Sequence, residues 1–167
     1  GINHSWGTPL TNRTRQTRRQ KREQQKDRER EDGIGKMNFE LDTVDPLTHN
    51  QRSAFEAWKH GKHLLLTGTA GTGKSFLSIY LGMKEIMDCE EYSRVVIVRS
   101  VVPTRDMGFL PGNAREKVKV YEAPYYSIFS ELFSRGDAYE YLKGKRVVEF
   151  MSTSFVRGIT INDAIVI

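Results

Sequence analysis

The run Gly68-Thr69-Ala70-Gly71-Thr72-Gly73-Lys74-Ser75 restricts this chain more than any other stretch of it. It fits the pattern G-x-x-x-x-G-K-[ST] at every fixed position. Glycines there permit positive φ and leave no Cβ in the way, so successive backbone N–H groups can turn inward around an anion. Such a cradle works when a strand delivers the chain to it and a helix leaves it, because the first helical turn adds unpaired N–H groups and the positive end of a dipole. On this reading Gly68, Thr69, Ala70, Gly71, Thr72, Gly73, Lys74 and Ser75 bind the phosphates of a nucleotide. Lys74 supplies the mobile charge for the β- and γ-phosphates and is the catalytic candidate, and the Ser75 hydroxyl is placed to ligate Mg²⁺. The alternative is a flexible Gly/Thr loop whose lysine is merely solvated.

The neighbours supply the context that favours the cradle. Leu64-Leu65-Leu66 reads as a short buried strand, and Ser75 to Met87 as a helix with Leu77, Ile79, Leu81, Met83 and Ile86 among its apolar positions. Upstream, Asp45-Pro46 marks a turn and Thr48 an N-cap, after which Gln51, Phe55 and Trp58 fall at helical spacing up to Gly61. Val95 to Val98 is a second apolar strand at the distance expected of a parallel βαβ unit. A Gly/Pro-rich loop runs from Val102 to Asn113, Tyr125 to Phe133 is expected to be helical, and Val147 to Phe150 and Ala164 to Ile167 read as further strands. Tyr121, Tyr125, Phe129 and Phe133 recur at helical spacing and are expected in the core. The pattern predicts an α/β fold with a largely parallel sheet and flanking helices.

Charge divides the chain. Residues 1–36 hold ten Lys+Arg against five Asp+Glu and residues 37–167 hold sixteen of each, so the net charge of +5 resides in the first segment. No residue from Thr11 through Gly33 is apolar, so this arm cannot build a core and is expected to be disordered or transiently helical. The division is therefore a basic arm, 1–36, and a globular part, 37–167. Six positive charges from Arg13 to Arg22 precede the first acid at Glu23, which suits contact with nucleic-acid phosphates. A single cysteine, Cys89, excludes an intrachain disulfide, and no apolar run approaches the roughly 20 residues of a spanning helix. A reducing cytoplasm is the expected compartment, with no membrane partner. Asn3-His4-Ser5 and Asn12-Arg13-Thr14 match the glycosylation pattern by chance.

Hydrolysis requires a carboxylate as well, usually directly after an apolar strand. Val98 is followed by Arg99, Glu149 interrupts its own strand, and Asp163 precedes its strand and is expected to form the entry turn. The missing acid is expected just beyond Ile167, with the chain itself a fragment.

Taken in order, the phosphate loop, Gly108-Phe109-Leu110-Pro111-Gly112 and Phe155-Val156-Arg157-Gly158-x-x-x-Asn162-Asp163 make the chain resemble PhoH-like proteins, most closely the phage-encoded branch. The resemblance implies a cytoplasmic RecA-like P-loop ATPase related to superfamily 1 helicases, in the host cytoplasm if phage-encoded, often oligomeric and linked to RNA. It implies that an Asp-Glu pair follows the strand matching Ala164–Ile167, so that the fold is incomplete at the C-terminus. Many cellular members read Arg-Pro where this chain has Arg99-Ser100.

Leu47-Thr48-x-x-Gln51 resembles the adenine-reading segment of superfamily 1 helicases, and the Gln51 carboxamide can both accept from N6 and donate to N7 of adenine. The plainer role is an exposed helix glutamine. Arg99 and Arg157 flank apolar strands at the ligand-binding edge of the sheet, where they are candidates for phosphate sensing or nucleic-acid contact. Phe109 either stacks on a base or pins its loop. The functional expectation is an ATPase using ATP with Mg²⁺, coupled to RNA or other nucleic acid. The alternatives are a non-catalytic nucleic-acid binder with a structural nucleotide and, third, a small-molecule kinase, for which no Arg-rich lid follows the third strand.

Overall fold

The computed structural model describes residues 40–89, 91–101 and 114–167. The basic arm, with its glycosylation-like triplets, and the loop carrying Gly108, Phe109 and Gly112 lie outside the described residues. The elements run α1 (His49–Lys59), α2 (Lys74–Asp88), β1 (Arg94–Arg99), α3 (Ala114–Phe133), α4 (Ala138–Gly144), β2 (Val148–Ser152), α5 (Thr153–Val156) and β3 (Ala164–Val166). Among the described residues the sheet has three strands in the order β2-β1-β3, all parallel.

β1 is central because it alone can be buried on both sides. Val95, Val96 and Ile97 are consecutive, point to alternate faces and are all fully buried. β2 pairs with it from Val95↔Val148 to Arg99↔Ser152, and β3 from Arg94↔Ala164 to Val96↔Val166. The second ladder extends one residue further, Ile167 N–H donating to Val96 O at 2.9 Å and Val98 N–H to Ile167 O at 2.7 Å.

α2 lies against the face that carries Val95 and Ile165. Gly82 makes the close approach possible, since a Cβ there would stand 3.2 Å from Ile167 Cδ1 and 3.5 Å from Val95 Cγ2. Leu77, Ile79, Leu81, Met83 and Ile86 of this helix are all buried, as their spacing predicts. α3 and α4 add an aromatic layer. Tyr125, Phe129 and Phe133 are buried, Phe129 standing 5.3 Å from the Tyr139 ring and Tyr125 5.9 Å from Phe150. Tyr121 is only half-buried, so the core reading holds for three of the four aromatic positions. Leu41 and Val44 pack on this core too, and Asp42 N–H donates to Leu132 O, which ties the segment before α1 to the end of α3.

Three expectations are corrected. Leu64-Leu65-Leu66 forms no ladder. Leu64 and Leu66 pack on the core while Leu65 is 90% exposed, so the segment is extended with one face buried. An apolar triplet does not distinguish that arrangement from a strand buried on both faces. α3 begins at Ala114 and runs through Pro124, although proline removes an N–H from the helix ladder. The carbonyl freed belongs to Val120, which is 53% exposed, so water can satisfy it. Finally, α4 and α5 are too short for periodicity to reveal, and β2 starts at Val148, one residue late.

Candidate functional site

The phosphate loop opens from Leu66 and closes into α2. Gly68, Gly71 and Gly73 have φ of 153°, 77° and 83°, and Gly73 is the N-cap of α2 in the left-handed conformation. These are the positions where a side chain would strain the backbone. Thr72 Oγ1 donates to Thr69 O at 2.9 Å and holds the turn together from within. Lys74 folds over the loop: its Nζ donates to Gly68 O at 2.9 Å, to Thr69 O at 2.6 Å and to Thr72 Oγ1 at 3.3 Å. Ser75 follows in the first turn with its side chain exposed. A full positive charge, a curled run of N–H groups and a hydroxyl thus stand together at a helix start, which is the donor set that polyphosphate with a hard cation requires.

The position of this loop relative to the sheet follows from connectivity. α2 ends at Asp88 and β1 begins at Arg94, so a short link joins the C-terminus of the helix to the start of the strand. The helix runs back across the sheet, and its N-terminus with the loop lies toward the C-terminal ends of the strands. That is the edge where open α/β sheets bind ligands.

The other singled-out residues divide by location. Gln51 completes a capping box at the start of α1: its Oε1 accepts from Leu47 N at 2.7 Å and from Thr48 N at 3.3 Å, while Gln51 N donates to Thr48 Oγ1. Both acceptor sites of the amide are engaged, and its NH₂ remains the group available to a ligand. Arg99 ends β1 at the ligand edge, where its guanidinium donates to Tyr121 O at 3.0 Å and lies 5.6 Å from that ring's centroid. Arg157 is the exposed C-cap of α5 and has no hydrogen-bond or ion-pair partner among the described residues.

The two acids are engaged elsewhere. Glu149 accepts from Arg94 at 3.1 and 3.2 Å, in the half of the sheet away from the loop. Asp163 has φ 58° and receives Ser93 N–H and Ser93 Oγ on its carbonyl as the chain enters β3, which is the turn role its position predicts. Among the described residues no group of three or more His, Cys, Asp or Glu is placed to hold a metal ion. No described helix is long and apolar enough to cross a membrane.

Sequence reasoning passed over the Tyr121 contact with Arg99 and the exposure of Phe155. The first joins residues far apart in the chain, and the second depends on a four-residue helix, so neither leaves a local signal.

Comparison with known proteins places the globular part in a family. The chain is 32% identical over 106 residues to the protein PhoH2 of Bacillus subtilis (strain 168), covering 61% of this chain and 24% of that protein. It is 30% identical over 121 residues to the PhoH-like protein of the same organism, covering 72% and 37%. A PhoH-like protein of Mycobacterium leprae (strain TN) is 29% identical over 126 residues, covering 75% and 36%. The chain thus spans about a quarter to just over a third of the length of these curated relatives. No solved structure matches it. Residues 43–167, which include the loop and all the described strands, match the family described as PhoH-like protein, and the chain belongs to that family.

Proposed function

We propose that this chain binds ATP with Mg²⁺ in the Gly68–Ser75 loop and forms the nucleotide-binding part of a RecA-like ATPase that works on nucleic acid, RNA foremost. The observation that carries the reading is the Lys74 ammonium drawn over the loop at 2.9 and 2.6 Å from two of its carbonyls, at the mouth of a helix opened by a left-handed glycine. Lys74 neutralises the β- and γ-phosphates, the loop N–H groups take their oxygens, and Ser75 holds the cation that screens the remaining charge. Gln51 contributes through its NH₂, which donates to N7 of adenine without disturbing the capping box.

Turnover by this chain is slow in comparison with binding. Positioning and electrostatics are nearly all that a protein contributes to phosphoryl transfer. Of the acids beside the strands, Glu149 is neutralised by Arg94 and Asp163 sits at the entry of β3, so neither orients a water at the loop. The family resemblance favours a coupling to nucleic acid, an oligomeric assembly and a cytoplasmic setting, and the basic arm supplies the charge for the nucleic-acid contact.

Lys74→Ala tests the site. The loop backbone is held by its own glycines and by Thr72, so the variant should fold while losing at least about tenfold in ATP affinity, or ~1.4 kcal/mol. Calorimetry giving equal affinity for both proteins would remove the assignment.

A further inference from the structure

At the far end of β2 the chain presents an aromatic ring to solvent. Ser152, the last residue of the strand, caps α5 by accepting from Phe155 N–H at 3.3 Å, and Phe155 rides on that short helix 65% exposed. It is the one aromatic among the exposed large hydrophobics of the described residues, and its helix is held by a cap. Arg157 follows two residues later, exposed and without an ion-pair partner among the described residues, and the left-handed Gly158 with Ile159 N–H on Val156 O closes the turn behind it.

Register places this turn beside the ligand edge. Ser152 is the β-ladder partner of Arg99, so α5, which starts directly after it and carries Phe155, lies at the same end of the sheet as Arg99. Between Phe150 and Asn162 the only charged residue is Arg157, while Thr153, Ser154 and Thr160 offer exposed hydroxyls. Arg157 lacks an acidic neighbour on its own segment, and Arg99 is occupied by a neutral carbonyl and a ring. A flat apolar ring flanked by a positive charge that no described acid pairs, and by hydroxyl donors, fits a base stacked on the ring with its backbone phosphate on the arginine.

We infer that Phe155 and Arg157 form a seat for one nucleotide of a single-stranded nucleic acid, Phe155 stacking the base and Arg157 taking the phosphate. The inference rests on the proposed coupling of the chain to nucleic acid and assigns residues to it. The seat is independent of the basic arm, and the phosphate loop has no part in it.

The test is anisotropy with labelled oligo(U), the same-length oligo(dU) and an abasic strand of equal length, with ATP binding measured in parallel. Phe155→Ala should weaken both base-bearing strands about tenfold, within the range for loss of one stacked base, and leave the abasic strand unchanged. Phe155→Trp should retain affinity. Arg157→Gln should weaken all three strands and flatten the slope of log K against log salt by about 0.7, the value for one phosphate on a single strand. Wild-type binding that Phe155→Ala leaves intact would overturn the seat and mark the ring as a contact for another protein, while the nucleic-acid reading stood. Equal loss on base-bearing and abasic strands would also overturn it. A wild-type chain that binds ATP but none of the strands would overturn the nucleic-acid reading itself.

Discussion

On one face of the sheet Val95, Ile97, Val148, Phe150 and Ile165 meet α2, α3 and α4 in a continuous core. On the other, the same strands carry Arg94, Val96, Glu149, Met151 and Val166. Register partners share a face, so this division follows from the pairing. The first face is dry and aromatic. The second is crossed by the Arg94–Glu149 ion pair, half-exposed at both ends, and ends at Val166, which is 53% exposed. Val96 is fully buried there although it lies outside the core cluster. Parallel sheets are ordinarily covered on both faces. The difference teaches that stability and the proposed ligand binding are drawn from different parts of this chain: the helix-covered face holds the fold, and the strand ends hold the proposed site.

The largest expected effect is on the covered face. Phe129 is fully buried between Phe133, 6.3 Å away in a stacked arrangement, and Tyr139 at 5.3 Å. Phe129→Ala leaves a cavity in an aromatic layer that cannot collapse onto it, and should destabilise by about 3–5 kcal/mol. Met151→Ala, half-buried on the second face, should cost about 1 kcal/mol. Denaturant titration of the two variants giving similar losses would break the distinction between the faces.

Next in size is a polar group inside the covered layer. Glu122 is only 5% exposed, and its Oε1 accepts from Tyr139 OH at 3.0 Å and from Lys143 Nζ at 2.7 Å. Burial, then the charge and hydrogen bond of Glu122, push the Tyr139 hydroxyl well above the ordinary tyrosine range. Glu122→Ala leaves a buried hydroxyl and an ammonium without their acceptor and should cost about 2–3 kcal/mol. Glu122→Gln, which keeps an acceptor, should recover part of that. If both variants match the wild type in thermal melts, the layer is held by apolar packing alone.

These two regions also differ in how far they can be read from the amino-acid sequence. The phosphate loop is legible because fixed residue types at fixed spacing each have a mechanical reason, and the helix after it is legible from the spacing of Leu77, Ile79 and Met83. The aromatic core is partly legible, since Tyr125, Phe129 and Phe133 keep helical period. α4 and α5 are too short to carry a period, and Pro124 hides the first half of α3. Leu64–Leu66 misleads because the local run does not say whether a neighbouring strand is present. The ion pair on the second face joins Arg94 to Glu149 through strand register, which only the tertiary pairing supplies.

The second face yields a smaller effect. Arg94 and Glu149 have side chains 28% and 25% exposed, and Arg94 also donates to Asn162 O at 3.3 Å. Glu149→Ala should cost about 1 kcal/mol, because a half-solvated pair gains little net Coulomb energy and Arg94 keeps a carbonyl partner. In a double-mutant cycle with Arg94→Met the coupling should be about 0.5–1 kcal/mol. A coupling of several kcal/mol would mean that this face is as closed as the other.

The smallest effect sits at the rim of the aromatic layer and depends on pH. Tyr126 packs edge-on against Tyr139 with centroids 4.7 Å apart, and its hydroxyl donates to the exposed Glu140. That hydrogen bond first, then burial and the charges of Glu140 and Glu122, push the Tyr126 pKa up to about 12. A tyrosine whose pKa is raised on folding contributes stability that is complete below the unfolded value of about 10 and is lost as the pH rises toward the folded value. Glu140→Gln keeps an acceptor and removes the charge. At neutral pH it should cost only a few tenths of a kcal/mol, as expected for a bond to an exposed partner. Above about pH 10 the gap between the two proteins should close, because the wild type has more protonation-linked stability to lose over that range. Parallel denaturant titrations across this range, with tyrosinate absorbance followed at the same time, decide it. A gap that stays constant, with Tyr126 titrating alike in both proteins, would show that the Glu140 bond is not what raises the Tyr126 pKa, and would leave Tyr126 as packing against Tyr139 alone.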